Sequence, residues 1–135
     1  ALGVERSPRR LQPVLDRWVA GELNEAHFLR PAEWVKLWGY DARDYLPLFH
    51  FARMHRLPML AMNVERGLVD AVARGGWEAV PEKRREGVTR PAEPSADYLK
   101  ALREVYRHHP EKAAGERGFR RFVEAQTVWD RAMAQ

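Results

Sequence analysis

Two tyrosines and two histidines late in the chain have the types and spacing for chemistry. In "ADYLKALREVYRHHP" the positions Tyr98, Leu102, Val105 and His109 recur at helical intervals, so Tyr98 and His109 can share one face. Tyr106 and His109 are three residues apart and neighbours on such a helix, with His108 beside them. Phenolate and imidazole both ligate iron. Tyrosine also serves as an axial ligand of haem, where a nearby imidazole bonds to it or completes the coordination sphere. The competing account is a tyrosine facing the core and a histidine at a helix end, where the macrodipole favours its charge.

A second group forms around "LPMLAMNVER". Asn63 ends an apolar run of strand length and Arg66 falls in the first turn of the helix expected after it. Glu5 ends a shorter apolar run, "ALGVE". Ligands of open parallel sheets collect at the carboxyl ends of strands. Asn63, Arg66 and Glu5 could therefore hold a polar or anionic ligand, or form a hydrogen-bonded network that orders loops.

Other chemistries lack their residues. There are no cysteines, which excludes disulfides, thiolate zinc sites and cysteine nucleophiles. Ser7 and Ser95 both stand where helix caps are expected. No glycine-rich phosphate loop and no HExxH spacing occurs, and His50 and His55 are five apart, on different helical faces.

These side chains need elements to position them. The runs Ala1–Glu5 and "LPMLAMN" read as short strands covered on both faces. Between them, Ser7-Pro8 opens a helix with Leu11, Val14, Leu15 and Trp18 inward, started late or bent by Pro13. Asn24 caps a short helix, Pro31 begins a turn carrying Trp34, Leu37 and Trp38, and Asp41 caps a helix whose Pro47 implies a late start or a kink. After the second strand a helix runs from Glu65 to Gly75-Gly76, followed by one further turn over Trp77–Val80 and a proline-rich loop over 81–95. Ser95 caps the helix of Tyr98, which ends near His109-Pro110, and a glycine-containing connection leads to the last helix. On that helix Phe122, Gln126, Trp129 and Met133 form one stripe, so Gln126 is expected as a buried amide that must find partners.

The expectation is a mainly α chain of about six helices with two short parallel strands. Two strands do not make an independently stable sheet, so this chain reads as part of a larger α/β fold. At 135 residues, 45% hydrophobic and 31% charged, it has the composition of a globular domain. The net charge of +4 is carried mostly by arginine spread over several helix faces. The densest run, "EKRRE", is flanked by acids, and no nucleic-acid partner is expected.

Four stretches, "QPVLDRWVAGEL", "WVKLWGYDARDYLPLFHFAR", "LPMLAMNVERGLVDAVARGG" and "FVEAQTVWDRAMAQ", together resemble the ChaN-type haem-binding uptake family. That family shares a superfamily with Tiki proteins and erythromycin-esterase-like enzymes. The resemblance implies a bacterial, often lipid-anchored or secreted protein of haem or iron uptake, periplasmic or associated with the outer membrane. It implies an α/β sheet carrying a helical insertion over about residues 8–56, with the chain as the central piece of such a domain. It also implies haem as cofactor, bound through a tyrosine near a homodimer interface with histidine assistance. Tyr98 then becomes the first candidate for the iron, with His109 or His108 assisting, Tyr106 second and Tyr45 third. Asn63 and Arg66 remain binding candidates, and membrane contact would come through a lipid anchor outside the chain. A Gly-Glu-x-His stretch that family members carry on an earlier strand is not in this sequence, which argues against enzymatic hydrolysis. A helical interaction module, or the remnant of a metal-dependent hydrolase, are the alternatives.

Overall fold

The structure, a computed structural model, describes residues 1–110 and 114–135. Seven α-helices and one two-stranded parallel sheet are present among the described residues, so the fold is mainly α. The chain divides into two compact units, Ala1–Asn63 and Val64–Gln135.

In the first unit, β1 (Leu2–Pro8) pairs in parallel with β2 (Met59–Asn63), from Leu2 opposite Met59 to Pro8 opposite Asn63. The register is irregular between Val4 and Pro8, where three residues of β1 face Met62 alone. This bulge changes the expected start of the first helix. Ser7 and Pro8 belong to the strand, and Ser7 is buried instead of capping a helix. A 3₁₀ turn (Arg9–Leu11) follows, then α1 (Gln12–Val19) with Pro13 in its first turn, where a missing N–H leaves no bond unmade.

The Gln12 side chain completes the sheet. Its Nε2 donates to the Met59 carbonyl at 2.7 Å, and its Oε1 accepts from the Ala61 N–H at 2.8 Å. Alternate residues of a strand point to opposite edges. The N–H of Leu2 bonds Pro58 on the edge facing β1, so Gln12 occupies the other edge with an amide that imitates a strand.

Four helices, α1, α2 (Glu25–Leu29), α3 (Trp34–Leu37) and α4 (Leu46–Met54), lie between the two strands in sequence. Asn24 caps α2 by accepting the His27 N–H at 2.9 Å. Asp41 caps a 3₁₀ turn (Ala42–Asp44), and α4 starts late, with Pro47 in its first turn. The core holds Leu15, Trp18, Phe28, Trp34, Phe49 and Met59. Trp18 donates from its indole to the Phe49 carbonyl at 2.9 Å, and Trp34 stacks on Trp38 with ring centroids 4.2 Å apart.

In the second unit, α5 (Arg66–Gly75) ends at Gly76, whose φ of 86° belongs to glycine. A 3₁₀ turn (Trp77–Ala79) leads into the proline-rich segment, which carries a further 3₁₀ turn (Glu82–Arg84) before α6 (Ala96–Tyr106). Ser95 caps α6, accepting the Tyr98 N–H at 3.2 Å. The connection expected after Pro110 lies in part at 111–113, outside the described residues. The last helix, α7 (Gly115–Ala134), runs past two apolar clusters. One includes Leu68, Val72, Trp77, Val128 and Ala132; the other is Leu102, Tyr106, Phe119 and Val123.

Those clusters shift the buried stripe of α7 by one position from the expected one. Phe119, Val123, Ala125, Val128 and Ala132 are buried, whereas Phe122, Gln126, Trp129 and Met133 flank them half-buried. Gln126 is therefore not the enclosed amide its spacing implied. Two stripes of similar apolarity compete on this helix, and the one with β-branched and small residues fits against α5.

Candidate functional site

Tyr98 lies in the first turn of α6, half-buried, and its hydroxyl donates to Oδ2 of Asp130 at 2.5 Å. Burial, then the Asp130 carboxylate beside it, push the phenol up to about 12. In this state Tyr98 is a neutral hydrogen-bond donor. A metal claiming it as phenolate would have to replace that proton and break the bond to Asp130.

The other ring candidates sit further along the helix. Tyr106 is buried against Phe119 and Phe122, with centroids 5.5 and 5.3 Å away. His109 stacks on Tyr106 at 5.9 Å and meets Phe122 at 5.1 Å, while His108 is exposed. Tyr98 thus meets α7 at Asp130 and His109 meets it at Phe122. Eight residues of helix separate those levels by about 12 Å. The structure does not bring Tyr98 and His109 of one chain to a common point. Their shared face is legible in the spacing, but eleven residues of helix put about three turns between them.

A cleft of about 460 Å³ opens in the same unit, reaching α6 at Leu99 and Arg103, within the range of small-molecule and cofactor sites. No sequence motif announced it, because its walls come from four segments. Trp77, Leu99, Phe119 and Val123 supply apolar surface, and the segment Arg90–Pro94 forms one side. Along α7 the lining residues Phe119, Arg120, Val123 and Thr127 recur at helical spacing, and Asp130 is next in that series. Tyr98 and Asp130 do not line the cleft; Asp130 follows Thr127 by one turn of α7.

The rim is charged. Arg103 pairs with Glu116 (Nη1 to Oε1, 2.5 Å) and lies with its guanidinium carbon 4.0 Å from the Phe119 ring centre. Arg90 pairs with Glu78 at 2.8 Å. The Arg103 guanidinium, with Arg120 adding to it, holds the Glu116 carboxyl below the usual carboxylate range. Glu124 is committed inward, accepting the Trp77 N–H at 2.7 Å and Arg121 at 3.0 Å. An aromatic floor under a rim of three arginines and four glutamates suits a flat, largely apolar ligand.

The remaining candidates have structural partners. Asn63 donates from Nδ2 to the Glu5 carbonyl at 2.8 Å, tying the end of β2 to the bulge of β1. Arg66, in the second unit, extends into solvent 3.9 Å from Asp70. Tyr45 packs edge-on to Trp38 at 5.0 Å in the first unit's aromatic core. Among the described residues, no group of three or more His, Asp and Glu could hold a metal ion. No helix among them is long and apolar enough to cross a membrane.

Fold and cleft together define a mainly helical chain whose second unit carries a cleft with an aromatic floor and a rim of mixed charge. The whole chain, residues 1–135, matches the model of one family, described as haem-binding uptake, Tiki superfamily, ChaN, and the chain belongs to that family. No curated protein and no solved structure matches it.

Proposed function

We propose that this chain binds haem for bacterial haem or iron uptake, with the porphyrin in the cleft of the second unit and Tyr98 as the iron ligand. The family match over all 135 residues carries this reading. The cleft supports the placement, since Trp77, Leu99, Phe119 and Val123 offer apolar surface for a ring, next in sequence to Tyr98 at Leu99. Within one chain Tyr98 meets α7 at Asp130 and His109 meets it at Phe122, eight residues apart. Histidine assistance is therefore assigned to His108 or His109 of a second copy, in a homodimer. The residues from about 8 to 56 are assigned to a helical insertion in a larger α/β sheet, and the protein to the periplasm or outer membrane, held by a lipid anchor outside the chain.

Titration with ferric haem tests the reading. Tyrosinate ligation gives a high-spin ferric Soret spectrum, and Tyr98→Phe should abolish it while the fold persists. An unchanged spectrum in that variant removes Tyr98 as ligand. A second reading, a helical interaction module, draws on the outer face of α4, where Leu48, Phe51 and Met54 are 48%, 48% and 72% exposed. Self-association that is independent of haem and lost in Phe51→Ser would favour it.

A further inference from the structure

We propose that residues 90–94 form a strap that closes over the cleft of the second unit once a flat, apolar ligand covers its floor, latched by Glu93 on Arg120. The strap borders the cleft that the haem reading uses, but its closure follows for any uncharged ring that fills it. All five residues of "RPAEP" border the cleft. Between Thr89 and Ser95 the backbone makes no hydrogen bond among the described residues. Both ends, in contrast, are fixed. Thr89 donates its N–H to Oε1 of Gln135 at 2.9 Å and accepts Arg131 at 2.7 Å, next to the buried Val88. Ser95 caps α6, and its carbonyl accepts the Leu99 N–H at 2.9 Å. The span between these anchors is stiff in pieces. Pro91 and Pro94 fix their own φ and hold Arg90 and Glu93 extended, which leaves Ala92 as the hinge. Such a span has little freedom to lose on closing.

Charge supplies the direction of the movement. Arg90 pairs with Glu78, Arg103 with Glu116, and Glu124 holds the Trp77 N–H. That leaves Glu93 on the segment and Arg120 on α7, opposite in sign and both exposed. Neither makes a hydrogen bond or ion pair among the described residues. An exposed ion pair is worth too little to order the segment alone, so closure waits on the ligand. A ring lying on Trp77, Leu99, Phe119 and Val123 gives Pro91, Ala92 and Pro94 an apolar surface to cover. The latch then forms on a segment that is already in place. Closing shields the outer face of the ligand and slows its release.

The test uses an uncharged, polarity-sensitive naphthalene dye, so that no charge on the ligand reads either side chain directly. Its fluorescence rise on the full chain gives Kd, and rapid dilution gives the release rate. Glu93→Arg and Arg120→Glu should each raise the Kd and the release rate about threefold, the scale of a surface ion pair made only in the bound state. The double variant Glu93→Arg/Arg120→Glu should return both to within about twofold of the natural chain. Salt at about 0.5 M should erase the differences. Neither side chain has a partner to lose, so both variants should fold, which urea unfolding checks. The chain has no cysteine, so Glu93→Cys/Arg120→Cys adds a second measurement. Under oxidised glutathione its disulfide should form faster with dye bound. Dye binding that the single reversals leave unmoved, or that the double variant fails to restore, overturns the strap and leaves the haem reading standing. No dye binding by the natural chain overturns the strap as well. The haem reading falls separately, on the absence of a Soret change with ferric haem.

Discussion

Replacing Tyr98 by Phe removes one oxygen and nothing else, so its consequences can be worked through. The lost contact is the 2.5 Å hydrogen bond to Asp130, an exposed carboxylate that water can solvate once the phenol is gone. No buried group is orphaned, and the cost at neutral pH should be about 1 kcal/mol. The pH dependence is more diagnostic. Folding raises the phenol from the ordinary 10 to about 12, with burial the larger cause and Asp130 the next. A group whose folded value is raised contributes stability that is complete below pH 10 and lost as pH climbs through 12. Two pH units correspond to a ceiling of about 2.7 kcal/mol. Because Tyr98 is only half-buried and Asp130 is exposed, screening reduces this to about 1 kcal/mol. Urea unfolding of both proteins across pH 7–12, with phenolate absorbance followed alongside, should show stability curves that converge above pH 10. A gap that stays constant through pH 12, or no gap at pH 7, would refute this account of Tyr98.

Asp130→Ala should bring the Tyr98 phenol part of the way down from about 12, since burial remains, and should tighten ferric-haem binding; near-UV phenolate titration and the Soret Kd check the two halves. Gly76→Ala should cost about 2–3 kcal/mol in urea unfolding. At φ 86° an added Cβ would lie 1.8 Å from Arg121 Nη1 and 2.8 Å from Glu124 Oε2, on the pair that caps Trp77. Gln12→Ala should cost about 1–3 kcal/mol, because it leaves the Met59 carbonyl and Ala61 N–H without the side-chain amide; hydrogen exchange should show faster loss of the Ala61 amide.

The elements governed by local chemistry were legible in the sequence. Asn24, Asp41 and Ser95 each cap the turn or helix they precede, and Pro13 and Pro47 each sit in a first turn. The strand "MLAMN" followed from its unbroken apolarity between turn signals. What escaped was set by pairing at a distance. The extension of β1 through Ser7 depends on a bulge opposite Met62, and the role of Gln12 depends on a strand edge nearly fifty residues away. On α7, period alone could not choose between two apolar stripes. The choice was made by α5, whose Leu68 and Val72 present a surface that Val128 and Ala132 fill.

The same division runs through the site. Tyr98 could be singled out because a phenol near histidines has recognisable chemistry, but its partner Asp130 lies on another helix and carries no motif. The cleft was invisible for the same reason: Trp77, Arg90, Leu99 and Phe119 are scattered over more than forty residues, and only the packing of α6 and α7 collects them. This has a chemical consequence. A ligand read from one helix would have placed Tyr98 and His109 on the same iron, whereas they meet α7 at Asp130 and Phe122, eight residues apart. The nearest acid–base partner of the phenol is instead a carboxylate. The bond to Asp130 and the partial burial of the ring both favour the neutral phenol, so any cation that took Tyr98 as phenolate would have to overcome both.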